Sequence, residues 1–390
     1  MTNRVILFSH LLLAIVCCTP YFLLSTYIGY IVAAIIVFIT LLTSIKHPNA
    51  LLIILKKHSK SIFLYLIFFI IALINIIFSD TNVKLGHIFF FCSFIGMYFI
   101  GITSQLTPNL KKNITWFFII INLANCIISL PNLFDDNVWI SRRITSGEAT
   151  DEEITFARLS GICNYSYYML QAVLVPFILE FIKIRENSLF KKLIIFSSVV
   201  VILIVVLMST YFAAFLNLLL IMLIYATYNI KKNGLKILTI ITIISIATVT
   251  SFNSISKNET FMYVIEKFER MTNGVSNKGL IEGDETERGK LTINSINTFK
   301  KNPIMGVGPQ DYRKYDLVGG HSFWFDFFAQ YGIIFLLFSI SIFFMFYENK
   351  YANNFSKIRK LCFLIIMLSS FGNPLLLSPF VYYFCFILLW

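Results

Sequence analysis

Residues 285–332, ETERGKLTINSINTFKKNPIMGVGPQDYRKYDLVGGHSFWFDFFAQYG, form the longest mixed charged, glycine-rich and aromatic stretch in an otherwise mostly apolar chain. The stretch has three parts. Its first part, 288–301, carries apolar residues at helical spacing, and the Asn-Pro pair at 302–303 ends this predicted helix. The glycines at 306 and 308 then predict a tight turn that needs positive φ. Finally, 319–321 (GGH) brings an imidazole to the start of the very apolar segment 322–347.

Two groups of this stretch can do chemistry beside a membrane. Arg288 carries a guanidinium that stays charged at every physiological pH. His321 carries an imidazole whose ordinary pKa of about 6.5 allows it to accept or donate a proton. Together on one ordered loop, they suit an anionic, lipid-linked substrate.

The composition predicts a polytopic membrane protein. Of the 390 residues, 57% are hydrophobic and 13% are charged, whereas soluble domains carry about 25% charged residues. The first apolar run continues into a second, so we expect no cleavable signal peptide. The seven cysteines show no pairing pattern or metal-ligand spacing, and we interpret them as small core residues.

The apolar runs predict about twelve transmembrane helices in an all-α fold. A membrane-crossing helix needs about 20 apolar residues, within a range of about 17 to 25. The runs lie at 5–24, 26–45, 61–78, 85–104, 113–130, 165–182, 193–208, 212–228, 236–252, 322–347, 361–372 and 376–390.

The charges predict the orientation of the chain. One set of alternating connections holds 18 Lys and Arg against two acidic residues, and comprises Arg4, 46–60, 105–112, 183–192, 229–236 and 348–360. The positive-inside rule makes these cytoplasmic, together with both termini. The net charge of +12 therefore follows from topology, and we expect no nucleic-acid partner.

Two connections on the opposite side are long enough to have functions of their own. Outer loop 1 covers 131–164, and the larger outer loop covers 253–321. The larger loop begins with apolar and charged residues on opposite faces of a predicted amphipathic helix, 261–271. We expect this loop to roof an outward-facing cavity in a single integral membrane domain, 1–390.

Over 285–335 the sequence resembles the O-antigen polymerase/ligase superfamily, integral-membrane enzymes that handle polyprenyl-diphosphate-linked glycans. The resemblance rests on Arg288, the following amphipathic segment, the Asn-Pro-Ile-x-Gly-Val-Gly sequence at 302–308, and His321 with Gly332 eleven residues later. It implies a helical core similar to the C-type glycosyltransferases. Ser322 departs from the family's common His-Asn pair.

The resemblance also assigns roles to residues. His321 would be the base that activates an acceptor hydroxyl, with capping of a helix as the alternative role. Arg288 and Arg158 would bind the substrate diphosphate, and Arg142 and Arg143 are further candidates for that contact. For Arg288 the alternative is a solvated side chain or an ordinary ion pair, and for Arg142 and Arg143 it is a plain surface pair.

Asp326 is a third catalytic candidate, one helical turn after Ser322 and one before Gln330. A carboxylate this far into an apolar segment should face the protein interior or a wet cavity. It would orient His321 or bind sugar hydroxyls, and the alternative is a paired structural acid.

Some residues depart from the family pattern. Family members frequently carry a Ser-Arg pair where 208–212 (MSTYF) has no arginine, so either another arginine takes over that phosphate contact or this subtype manages with fewer. Tyr165-Ser166 replaces the common Pro-Asn after Asn164. The sequence has no metal-ligand cluster outside the membrane, so we expect no metal, no cofactor, and arginines in place of a cation.

The resemblance implies an inverting, metal-independent polymerase of O-antigen or capsular polysaccharide (Wzy type) in the bacterial inner membrane, with its site on the periplasmic side. It would transfer a growing glycan from undecaprenyl diphosphate to a lipid-linked repeat unit. Two alternatives stay open: an O-antigen ligase that transfers glycan to lipid A-core, and a flippase or transporter of lipid-linked oligosaccharide. Expected partners are membrane lipid, a chain-length regulator and a flippase.

Overall fold

The computed structural model describes residues 3–18, 35–40, 42, 48–79, 84–103, 106–133, 140, 143, 150–160, 165–185, 188–208, 214, 217–218, 220–221, 287–310, 317–347, 356–373, 375–377 and 379–388. The predicted span 236–252 and the predicted amphipathic helix 261–271 lie outside these residues. The predicted spans 26–45 and 212–228 are described only in part.

The described residues form helices and no strand. We number the α-helices with described bounds in chain order: α1 (Asn3–Cys18), α2 (Pro48–Lys57), α3 (Ser59–Phe78), α4 (Lys84–Thr103), α5 (Pro108–Leu133), α6 (Asp151–Ser160), α7 (Tyr165–Arg185), α8 (Leu189–Met208), α9 (Glu287–Lys301), α10 (Phe323–Tyr331), α11 (Phe335–Tyr347), α12 (Ser356–Ser369) and α13 (Pro379–Tyr383). Short 3₁₀ turns cover Gly332–Ile334 and Leu375–Leu377, and a π-helical turn covers Phe384–Leu388.

Local sequence explains where two of these helices begin. Helix α5 starts with Pro108, and the Thr107 hydroxyl accepts a hydrogen bond from the Leu110 N–H at 3.3 Å. Helix α6 starts with a capping box: Thr150 Oγ1 accepts from the Glu153 N–H at 3.2 Å, and Glu153 Oε2 accepts from the Thr150 N–H at 3.1 Å. Both arrangements satisfy backbone donors that a helix leaves free at its N-terminus.

Within the described parts of the chain, five helical segments are long and apolar enough to cross a membrane: Ser59–Phe78, Lys84–Thr103, Pro108–Leu133, Leu189–Val206 and Phe323–Met345. Shorter apolar helices cover Arg4–Cys17, Tyr167–Leu179 and Lys360–Ser369. The architecture is therefore that of a polytopic helical membrane protein, as the composition predicted. The total of twelve spans stays a prediction.

The chain divides into two compact units, of which the first comprises 1–125, 155–161 and 290–390. An aromatic core packs α3 and α4 against α11. The Phe68 ring lies 5.1 Å, centroid to centroid, from the rings of both Phe91 and Phe338. Phe94 lies 5.1 Å from Phe338 and 5.2 Å from Phe386 of the C-terminal segment.

The second unit comprises 126–154 and 162–289. Within it, α7 packs against α8. The described side chains from Tyr167 to Ile178 on α7 are nearly all buried, so this helix lies inside the unit along most of its length.

The predicted apolar segment 322–347 folds as two helices joined by a sharp bend. In one straight helix, Phe323 and Phe338 would be separated by about 22 Å along the axis, at about 1.5 Å per residue. Instead, their ring centroids lie 6.3 Å apart, and the Phe323 and Phe335 centroids lie 5.6 Å apart. The bend falls at Gly332, whose φ of 63° is open to glycine at little steric cost.

Helix α10 crosses α4 instead of running along it. Phe323 contacts Phe90, and Tyr331 at the other end of α10 contacts His87 and Phe91. The nine residues of α10 therefore cover about one turn of α4. The segment Phe323–Met345 is long and apolar enough to span a membrane, but the bend at Gly332 divides it into α10 and α11.

Candidate functional site

Helix α10 presents His321 directly before its N-terminus. Ser322 is the N-cap residue, and its Oγ accepts a hydrogen bond from the Phe325 N–H at 3.3 Å. The side chain of Ser322 is buried, whereas His321 is partly exposed. A partly exposed imidazole on a fixed backbone can meet a ligand and still keep its position.

The carboxylate of Asp326 binds the backbone around His321. Asp326 Oδ2 accepts from the Ser322 N–H at 2.9 Å, and the backbones of Gly320 and His321 also hydrogen-bond to this carboxylate. Only 2% of Asp326 is exposed. The acid therefore faces the protein interior, as the sequence predicted for a carboxylate in this segment.

Ser295 of α9 binds the same carboxylate from the other side. Its Oγ donates to Asp326 Oδ1 at 2.6 Å and accepts from the Gly319 N–H at 2.9 Å. Ser295 is fully buried. The sequence predictions missed this residue, although a serine one turn from Leu291 and Phe299, on the apolar side of α9, was a signal that could have found it.

The C-terminal end of α10 is held by the turn that the sequence predicted at 306–308. The Ala329 carbonyl accepts from the Val307 N–H at 3.0 Å, and the Gln330 carbonyl accepts from the Gly308 N–H at 2.8 Å. The glycines have φ of 69° at Gly306 and 78° at Gly308, which confirms the predicted backbone conformation. The turn therefore satisfies carbonyls that a helix leaves free at its C-terminus.

Glycine at three positions lets backbones touch around α10. A Cβ at Gly306 would overlap with the Gln330 carbonyl, and one at Gly332 would overlap with the Ile304 carbonyl. A Cβ at Gly319 would overlap with the Leu291 carbonyl of α9. The turn and the His321 loop can therefore lie directly on neighbouring main chain.

Further contacts fix α10 to α3, α4 and α12. The Asn75 side chain donates to the carbonyls of Met305 at 2.7 Å and Gln330 at 3.3 Å. The Phe323 N–H donates to the Ser370 carbonyl at 3.0 Å. The Tyr331 hydroxyl and His87 Nδ1 share a hydrogen bond of 2.7 Å. The sequence did not identify these partners, because each contact joins residues that are distant in the chain.

The four candidate arginines are described to different extents. Arg288 lies in the first turn of α9 and Arg158 in the last turn of α6, as far as their backbones are described. Their side chains, and all of Arg142, lie outside the described residues. Their proposed contacts with a diphosphate stay predictions.

Arg143 forms an ion pair with Glu153, with 2.6 Å between Nη2 and Oε1. The pKa of Glu153 lies below its ordinary value. The hydrogen bond from the Arg143 side chain is the largest cause, and the hydrogen bond from the Thr150 backbone is the second. The alternative role weighed for Arg143, an ordinary surface pair, is therefore present in this structure.

Among the described residues, no group of three or more His, Cys, Asp or Glu is placed to hold a metal ion. What the described site offers is a partly exposed imidazole on a loop held by one buried carboxylate. Such an arrangement can move a proton at a defined position.

Comparison with known proteins agrees with the residues quoted for the resemblance. Residues 196–340 match the family model for O-antigen ligase (Wzy_C). Neither curated proteins nor solved structures match the chain. The match includes α9, the glycine turn, His321 and α10. It confirms the resemblance: residues 196–340 carry the O-antigen ligase family pattern, consistent with the O-antigen polymerase/ligase superfamily.

Proposed function

We propose that this protein is a membrane glycosyltransferase that polymerises a surface polysaccharide, either O-antigen or capsule. Its donor is a growing glycan on undecaprenyl diphosphate, and its acceptor is a lipid-linked repeat unit. The observation that carries the proposal is the His321 loop, anchored by Asp326 within the region that matches the O-antigen ligase family. The match itself implies a glycosyltransferase-like enzyme of polysaccharide assembly.

In the proposed reaction, His321 acts as the general base. The acceptor hydroxyl passes its proton to the imidazole while its oxygen bonds to the anomeric carbon of the donor. The bond from that carbon to the diphosphate oxygen breaks, and its electron pair leaves with the diphosphate. Attack from the side opposite the leaving group inverts the anomeric configuration.

Arginines stabilise the leaving group in this proposal. Arg288 and Arg158 would hold the diphosphate, because a guanidinium fork matches phosphate oxygens and offsets the charge that develops on them. Arg143 is the weaker candidate, since its guanidinium already pairs with Glu153. No metal is required in this scheme.

The proposed location is the bacterial inner membrane, with both termini in the cytoplasm and His321 on the outer side. The support is the excess of Lys and Arg in the opposite set of connections. A flippase that delivers repeat units and a chain-length regulator are the proposed protein partners.

O-antigen ligation is the second candidate function, and one observation favours it: the family model that matches 196–340 is described as O-antigen ligase. A ligase would use the same base and the same leaving group. It would differ in the acceptor, which would be lipid A-core.

The test is a gel profile of surface polysaccharide from a deletion strain complemented with the wild-type gene or with His321→Ala. We expect a ladder with the wild type and single repeat units with His321→Ala, because loss of a general base typically costs about 10²- to 10⁴-fold in rate. Ser197→Ala is the control: this exposed serine of α8 donates only to the Leu193 carbonyl in the same helix.

Each other outcome identifies an alternative. Long polymer that stays on the lipid carrier, without glycan on lipid A-core, would indicate a ligase. Single repeat units that accumulate on the cytoplasmic side would indicate a transporter. A full ladder with His321→Ala would overturn the proposed mechanism.

A further inference from the structure

The backbone around His321 depends on one carboxylate. An ionised carboxylate has about four acceptor positions. Asp326 receives hydrogen bonds from Ser295 Oγ, from the Ser322 N–H and from the backbones of Gly320 and His321. Two of these hydrogen bonds, at 2.6 and 2.9 Å, fall one on each carboxylate oxygen, so the protein already engages both oxygens. Asp326 is therefore better suited to hold the loop than to bind substrate.

Ser295 is the group that links this carboxylate to α9. Its hydroxyl carries one proton, and the nearer acceptor is Asp326 Oδ1 at 2.6 Å, whereas the Leu291 carbonyl of its own helix is 3.5 Å away. The same oxygen accepts from the Gly319 N–H at 2.9 Å. The Ser295 side chain therefore contacts both Gly319, at the start of the loop, and Asp326, which binds the end of the loop.

The loop that carries His321 packs directly on the main chain of α9. A Cβ at Gly319 would overlap with the carbonyl, carbonyl carbon and Cβ of Leu291. The next residue, Gly320, has φ of 72°. The main chain of the loop thus packs on α9 at the turn where Ser295 reaches the loop, and Arg288 lies in the first turn of the same helix, about two turns earlier.

We infer that Ser295 is a positioning residue for His321: its hydroxyl, acting through Asp326 and the Gly319 N–H, fixes the imidazole relative to α9. This inference rests on the proposed function, in which His321 is the general base. Ser295 touches no reacting atom. Its effect is to keep a proton acceptor in place, which general-base catalysis requires.

The decisive comparison is Ser295→Thr against Ser295→Val. Both replacements add a methyl group to a fully buried site and give side chains of nearly the same shape. Threonine keeps the hydroxyl, whereas valine has a second methyl group in its place. Ser341→Ala is the control for the loss of a buried serine, because Ser341 donates only to the Phe338 carbonyl of its own helix.

Steady-state kinetics of the purified full-length protein, with a lipid-linked repeat unit as substrate, give the first readout. We expect kcat of Ser295→Val to be about 10- to 100-fold below that of Ser295→Thr, the range for a hydrogen bond to a charged group. KM should agree between the two within about twofold, because the interaction supports the transition state and not substrate binding. Equal kcat values for the pair would overturn the inference.

A second readout needs no substrate. Diethyl pyrocarbonate modifies accessible imidazoles, and mass spectrometry of the peptide that contains His321 gives the rate of modification. If Ser295 positions His321, this rate differs between the threonine and valine variants by about threefold or more, since the loop is held in only one of them. Equal rates would again contradict the inference.

The two proposals fail in different ways. If His321→Ala abolishes activity while the threonine and valine variants behave alike, the positioning role is wrong and the proposed function stands. If His321→Ala is fully active, the proposed mechanism fails, and the positioning role for catalysis fails with it.

Discussion

The two ends of α10 are held by different means. At the N-terminal end, the side chains of Ser295, Ser322 and Asp326 accept hydrogen bonds from backbone N–H groups near His321. At the C-terminal end, the main chain of the glycine turn binds the carbonyls of Ala329 and Gln330. Substitution can remove the side-chain hydrogen bonds one at a time. At Gly306 of the glycine turn, any added Cβ overlaps with the main chain, so a single substitution disrupts the whole contact. The difference predicts that the two ends respond unequally to substitution.

The largest effect is expected for Gly306→Ala, which breaks the backbone anchor. The new Cβ would overlap with the Gln330 carbonyl, and φ of 69° is strained for alanine. Strain of this kind costs about 1–3 kcal/mol before any overlap is relieved, so we expect a loss of several kcal/mol in folding stability. Thermal unfolding in detergent, followed by fluorescence-detected size-exclusion chromatography, measures it.

Gly86→Ala is the matched control for Gly306→Ala. Gly86 lies in α4, where an added Cβ would meet no atom within 4 Å beyond its own stretch of helix. Alanine there should be neutral or should stabilise the helix by about 0.5–1 kcal/mol. A Gly306→Ala protein as stable as Gly86→Ala would contradict the backbone anchor.

A smaller effect on folding is expected for Asp326→Asn, which breaks the side-chain anchor. Asparagine keeps the shape but turns one acceptor oxygen into an amide donor that faces other donors. A buried donor without an acceptor costs about 1–3 kcal/mol, and we expect a loss in that range by the same thermal assay. Activity should fall together with stability.

Ser322→Ala serves as the comparison for Asp326→Asn, since it removes one cap hydrogen bond at the same end of α10. Loss of an N-cap typically costs about 1 kcal/mol. If Asp326→Asn is no more destabilising than Ser322→Ala, the carboxylate is not the main anchor of the loop.

The smallest effect is expected for Glu153→Gln, which tests a second side-chain anchor, at the N-terminus of α6. Glu153 completes the capping box of α6 and pairs with Arg143, which lowers its pKa below the ordinary value of 4.5. A lowered folded-state pKa means that the stabilisation is present above pH 4.5 and is lost as the pH falls through the folded-state value.

Unfolding midpoints of the wild type and Glu153→Gln at pH 7 and at about pH 3 test this pH dependence. The difference should be small at pH 7, because exposed ion pairs are screened by solvent, and should disappear at the lower pH. Glu152→Gln, an exposed neighbour in the first turn of α6, is the control. A difference that grows on acidification would contradict the assigned pKa direction.

Sequence reasoning located the long apolar helices well, because a run of about twenty apolar residues has the length and composition of a helix that crosses a membrane. The runs predicted at 61–78 and 85–104 became Ser59–Phe78 and Lys84–Thr103. The charged and glycine-rich stretch was likewise recognised as the chemically informative one, and the family match includes it.

The bend at Gly332 was not predicted, because the sequence stays apolar across it. A glycine inside an apolar run is compatible with a continuous helix, and only the contact of Gly332 with the Ile304 main chain shows why the helix stops. The partners of Asp326 were missed for a similar reason. The sequence placed the carboxylate on an interior face, but Ser295 lies 31 positions away in the chain, and local spacing does not encode that contact.

In the proposed orientation, the bend also affects the depth in the bilayer at which the proposed reaction would take place. Because α10 crosses α4 at residues 87–91, it lies within about two turns of the end of α4 that the proposed orientation places outside. In the proposed orientation, His321 therefore lies near headgroup depth, where the polyprenyl tail already holds a carrier's diphosphate. The enzyme would then react with its substrate without lifting the carrier lipid out of the membrane.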